Sequence, residues 1–93
     1  MYYIIFDLEW NNAYSYLTNG FVNEIIEIGA VKLDEYLNVV DTFKQLVKPK
    51  ITKKLSSRCK KLTNITNEEL KEYGIPFKQA FADFEQWSSG DGN

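Results

Sequence analysis

Strand-like runs of hydrophobic residues fill the first half of the chain. Tyr2 to Leu8 is rich in β-branched and aromatic side chains and reads as a buried strand. Glu24 to Leu33 reads as a second, through Ile25, Ile26, Ile28, Ala30, Val31 and Leu33. The polar stretch between them reads as a loop. Asp34 to Asn38 has the composition of a turn, and Val39 to Val47 resumes as a third strand that Pro49 stops, so the second and third strands form a hairpin. The pattern predicts a three-stranded antiparallel meander.

The hydrophobic period then changes. Thr66 followed by Glu69 fits a capping box that opens a short helix over Asn67 to Glu72, and Gly74 ends it. Pro76 suits the first turn of a longer helix, along which Phe77, Ala80, Phe81, Phe84 and Trp87 recur at helical spacing. That spacing predicts one apolar stripe packed on the sheet. Residues 88–93, Ser-Ser-Gly-Asp-Gly-Asn, have the composition of a loop-like tail. The fold class is α/β. A chain of this class that opens with three strands normally continues into further strands, so residues 1–93 are expected to form a single, incomplete domain.

Composition narrows the chemistry. Hydrophobic residues make up 44% of the 93 and aromatics 15%, a balance that folds instead of staying disordered. No stretch approaches the roughly 20 apolar residues of a membrane span, and the N-terminus lacks the flanks of a signal peptide, so no membrane partner and a cytoplasmic location are expected. Cys59 is the only cysteine, which excludes an internal disulfide. Its lysine-rich surroundings would lower its pKa if the thiol met them, although a plain buried thiol is the commoner outcome. The absence of histidine removes Ser-His and Cys-His catalysis, so any chemistry must run on carboxylates.

Net charge is −2, but the charges are segregated. Residues 44–61 hold Lys44, Lys48, Lys50, Lys53, Lys54, Arg58, Lys60 and Lys61 with no acid among them. Such a run is either a solvated face or a phosphate-binding surface. What favours the second reading is an acidic pair elsewhere: Asp7 and Glu9 end the first apolar strand, where charge is costly unless something binds it. Strand alternation points both side chains the same way with Cα atoms roughly 6.5–7 Å apart, within reach of one divalent ion.

These residues resemble a family, the DEDD or DnaQ-like 3′ to 5′ exonucleases of the ribonuclease H-like fold. Phe6-Asp7-Leu8-Glu9-Trp10 looks like their first motif, and Asn23 to Val31 is similar to their second strand. Phe43 through Leu46-Val47-Lys48-Pro49, Cys59 to Thr66 and the Phe77 to Trp87 helix add three further likenesses in the same order. Within the family the likeness is to the enhanced-RNAi type and to bacterial relatives described as sporulation-kinase pathway inhibitors.

The resemblance implies a partial ribonuclease H-like fold: the antiparallel meander with one short and one longer helix. It also implies hydrolysis of terminal phosphodiesters at single-stranded 3′ ends, RNA more than DNA, with two divalent ions, Mg2+ or Mn2+, held by four acids. Asp7 would bridge both ions and Glu9 would hold the one that activates water; the second-motif acid lies beyond residue 93, so these 93 residues alone are expected to be nearly inactive. Substrate contacts are expected from Trp10, Asn11, Leu62 and Thr63, and phosphate contacts from Lys53, Lys54, Arg58, Lys60 and Lys61. Asn64 stands where relatives usually carry glycine, a substitution that a left-handed turn tolerates. Glu24 is expected to face solvent, Glu27 to meet backbone or basic neighbours, and neither they nor Asp83 nor Asp91 to be ligands. In that fold later strands flank the first one, so its Tyr2 to Leu8 edge is expected to be unpaired here and to drive self-association. The alternative is a non-catalytic nucleic-acid or protein-binding module that uses the basic 44–61 segment.

Overall fold

The computed structural model describes residues 1–52 and 54–90. Three strands, β1 (Tyr3–Ser15), β2 (Gly20–Leu33) and β3 (Val39–Leu46), form one antiparallel sheet in the order β1-β2-β3. Three helices follow: α1 (Ser57–Thr63), α2 (Asn67–Tyr73) and α3 (Phe77–Gly90). None of the described helices is long and apolar enough to cross a membrane.

The meander is present, but its first hairpin is far longer than the hydrophobic pattern indicates. The segment that reads as a polar loop is a two-stranded ribbon, in register from Trp10↔Ile25 to Ser15↔Gly20. Polar pairs carry it: Asn12 Nδ2 donates to Asn23 Oδ1 at 2.8 Å across the ladder. At its end the Tyr14 and Phe21 rings, opposite one another, meet edge to face. Asparagine is depleted in strands generally, and cross-strand pairing overrides that preference here.

A bulge divides the sheet. Glu9 faces Glu27 and Trp10 faces Ile25, which leaves Ile26 as the extra residue on β2. Ile26 is fully buried with Leu55, Cys59, Ile65 and Leu70, and Leu46 packs against this cluster. Leu46 lies opposite Glu27, so this core sits on the face of Glu9 and Glu27. Ile28 and its partner Leu8 point the other way, into a second core with Val47, Ala80 and Phe84. One sheet thus carries α1 and α2 on one face and α3 on the other.

α1 is an element the sequence pattern misses, because only Cys59 is buried and its exposed residues, Arg58, Lys60 and Lys61 among them, show no apolar period. Its start is set locally: the Ser56 hydroxyl accepts from the Cys59 amide at 3.1 Å. Its end is the left-handed Asn64, at φ 61°, as expected for asparagine in a turn that suits glycine. The α2 capping box forms in full, with Glu69 N donating to Thr66 Oγ1 and Thr66 N to Glu69 Oε1. Gly74 then brings the chain against β3, where Val47 and Ile75 form a parallel bridge. A Cβ at Gly74 would collide with the Leu70 carbonyl and crowd the Lys48 amide, so only glycine fits.

The aromatic stripe of α3 divides. Ala80 is fully buried, and Phe84 packs edge-on against Phe6 and Phe43. Phe77 and Phe81 stack on each other and stay 45% and 44% exposed. At the far end the buried Lys32 amine donates to the Trp87 carbonyl and lies over its ring, while the indole N–H donates to Asp41. The tail is shorter than its composition suggests: Ser88, Ser89 and Gly90 are helical, the two serine hydroxyls bonding back to the Glu85 carbonyl. Residues 91–93, Asp91 included, lie outside the described residues.

Candidate active site

β1 delivers Asp7 and Glu9 to the face that α1 covers. Asp7 is exposed, with its carboxylate accepting from the Leu8 amide at 3.0 Å. Glu9 is half-buried under α1, where the Cys59 thiol donates to the Trp10 carbonyl at 3.4 Å. Burial pushes the Cys59 thiol up, the Thr63 hydroxyl offsets part of this, and the negative charge of Glu9 adds to the rise. Despite the lysines nearby in sequence, these surroundings favour the neutral thiol over the thiolate.

Glu27 lies directly opposite Glu9, a like-charge pair that disfavours the ladder unless cations attend it. Lys44 supplies one, its amine 3.7 Å from Glu27, the basic neighbour that the sequence leads one to expect. Beside Glu27 opens a cavity of about 590 Å3 lined also by Thr63 and Asn64.

What holds α1 over the carboxylates is a polar brace. Asn11 and Glu24 are partners in the ladder, and both reach the segment leading into the helix. The Glu24 carboxylate accepts from the amides of Lys50, Ile51 and Thr52 and from the Thr52 hydroxyl, at 2.6 to 2.8 Å. Asn11 donates to Thr52 Oγ1 and to the Lys54 carbonyl, each at 3.1 Å, and accepts from the Ser56 amide, the cap of α1, at 3.0 Å. Glu24 is thus not the solvent-facing acid of the sequence reading. Partial burial pushes its pKa up, but the bonds from Thr52, Ile51 and Lys50 outweigh this and hold it below the usual carboxylate range.

The expected substrate residues are dispersed by this arrangement. Asn11 is fully buried with its amide engaged, so it positions α1 and has no free group for a substrate. Trp10 points to the opposite face from Glu9 by strand alternation. The Thr63 hydroxyl is occupied at the helix end, donating to the Cys59 carbonyl and accepting from the Ile65 amide. Leu62 is 73% exposed. Lys54, Arg58, Lys60 and Lys61 are all exposed, the last two in the final turn of α1, while Lys53 lies outside the described residues. Glu24 is the residue sequence reasoning misread, and a carboxylate opposite a buried asparagine on adjacent strands is the signal for it only once the long ribbon is known.

Among the described residues no group of three or more His, Cys, Asp and Glu side chains could hold a metal ion. Asp7 and Glu9 offer the oxygen donors a hard divalent ion prefers, and form a partial donor set.

The architecture, a three-stranded antiparallel sheet with helices on both faces, is also found among known proteins. Residues 4–92 match the family described as Exonuclease, RNase_T, and the chain belongs to that family. It is 45% identical over 51 residues to the human 3′-5′ exoribonuclease 1, covering 54% of this chain and 15% of that protein. It is 43% identical over 64 residues to the probable 3′-5′ exonuclease KapD of Bacillus subtilis (strain 168), covering 68% of this chain and 30% of that one. Among solved structures, the nuclease domain of 3′hExo, a DEDDh family member bound to rAMP, superposes with a TM-score of 0.77 at 30% identity. That match covers 99% of this chain and 46% of the other. The chain therefore spans less than a third of the length of these two curated relatives, which are 3′ to 5′ exonucleases and so phosphodiester hydrolases.

Proposed function

We propose that these residues form the part of a metal-dependent 3′ to 5′ exonuclease that carries its Asp7 and Glu9 pair, and that its substrate is RNA in preference to DNA. The observation that carries the reading is the placement of both acids on one face of β1, with Glu9 beside α1, within a chain of the exonuclease family. The exoribonuclease relative and the rAMP-bound neighbour support RNA. Mg2+ or Mn2+ bound there would act as a Lewis acid on the phosphodiester and lower the pKa of its bound water. Asp7 and Glu9 would hold it, with Glu27 opposite Glu9 adding negative field. The basic surface of α1, Arg58, Lys60 and Lys61, would meet the phosphates that follow the 3′ end.

With a partial donor set, the 93-residue chain hydrolyses little by itself. Its binding is testable. Titration of rAMP in the presence of Mg2+ should shift the amides of residues 7–9 and 62–64 more strongly than dAMP does. Shifts that avoid those residues, or that do not require the metal, would refute the reading. β1 also keeps the outer position in the described sheet, and pairing of two copies along that edge would appear as a concentration-dependent mass in light scattering; a constant monomer mass removes it.

A further inference from the structure

The face that carries α3 has an open end. Between the start of α3 and the β1–β2 ribbon lies a groove of about 750 Å3, walled by Trp10, Ile25, Val47 and Phe77. Trp10 is 48% exposed and Phe77 45%. Tyr14, four residues beyond Trp10 on the same strand, repeats its direction about 13 Å further along. Phe21 sits opposite Tyr14 with ring centroids 5.6 Å apart and is 73% exposed. Past the groove's own lining the same strand face thus presents two further, partly exposed rings, Tyr14 also lining a separate pocket, and clustered exposed aromatics of this kind mark a binding surface.

Charge identifies the occupant. Lys48, Lys50 and Lys78 line the same groove and are exposed. Glu24 is the one acid among its described lining residues, and its carboxylate is engaged by the Lys50, Ile51 and Thr52 amides. The surface therefore offers flat apolar faces at intervals beside three exposed ammonium groups and a single described carboxylate. That is the chemistry of bases stacked on rings with phosphates neutralised alongside.

We propose that this groove binds single-stranded nucleic acid without a metal, on the face opposite Asp7 and Glu9. The site goes beyond the exonuclease reading, since neither carboxylate takes part. A strand held there would lie on Trp10 and Phe77, pass Lys48, Lys50 and Lys78, and continue along Tyr14 and Phe21. Ring stacking makes such a track tolerant of sequence.

The test is fluorescence anisotropy of labelled eight-nucleotide single strands, RNA and DNA, on the full 93-residue chain in EDTA. Saturable binding is expected, weakened about tenfold by Trp10→Ala and largely retained by Trp10→Phe. Changing Lys48, Lys50 and Lys78 together to Gln, all at exposed positions that leave the fold intact, should reduce the slope of log K against log salt by about 2. Absence of binding at low salt overturns the proposal, as does binding that neither set of substitutions alters. So does tighter binding of an acidic amphipathic peptide that the oligonucleotides fail to displace. The EDTA condition separates this outcome from the exonuclease reading, which stands or falls on metal-dependent shifts at residues 7–9.

Discussion

Trp10 and Asn11 are neighbours on β1 and occupy opposite conditions. Asn11 faces α1, is fully buried, and has its amide engaged by Thr52, Lys54 and Ser56. Trp10 faces the α3 side, and nearly half of it is open to solvent above a groove. The same contrast holds for their partners: Glu24 pins a loop, whereas Ile25 lines the groove wall. One face is fixed by polar bonds of specific geometry, which holds α1 in place beside Glu9 of the proposed metal-binding pair. The other is an unbonded apolar surface, which suits a ligand that varies from one contact to the next.

The largest expected effect falls on the fixed face. Asn11→Ala removes three hydrogen bonds at a fully buried position, so urea unfolding should show a loss of about 2–4 kcal/mol. A loss below about 1 kcal/mol would mean that the brace bears little of the packing of α1. The next effect is a pH dependence. Because the Glu24 pKa is depressed in the folded state, its contribution is present above the ordinary value of 4.5 and is lost as pH falls through the lower folded value. The amide resonances of Lys50, Ile51 and Thr52 should therefore titrate together below pH 4.5; a midpoint at or above that value would show the carboxylate to be free. The smallest effect belongs to the open face. Phe21→Ser, at a position 73% exposed, should change stability by no more than about 1 kcal/mol. A large loss there would show that the aromatic stripe holds the ribbon together instead of waiting for a ligand.

How far the sequence reveals this molecule depends on where each signal resides. The apolar strands, the capping box at Thr66 and Glu69, and the Asp7-x-Glu9 pair are local features, readable at fixed spacing. The ribbon from Trp10 to Ser15 is not, because its pairing rests on asparagine contacts with residues 11 or more positions away. α1 is concealed for a related reason: only Cys59 of its seven residues is buried, so it has no apolar period to detect. Glu24 looks like a solvent-facing acid until residues 50–52 return to it across 26 to 28 positions. Local chemistry thus identifies the acids, and long-range contacts determine which of their neighbours brace the site and which face the other way.

Asp7 and Glu9 are proposed to form a divalent-ion site on the braced face. Addition of Mn2+ in small increments, followed by amide line broadening in the wild-type chain and in Asp7→Asn, tests it directly. Broadening is expected to centre on residues 7–9, to extend to Glu27 across the ladder, and to be sharply reduced by the substitution. Equal broadening in both chains, or broadening centred away from β1, would show that Asp7 and Glu9 do not form the site.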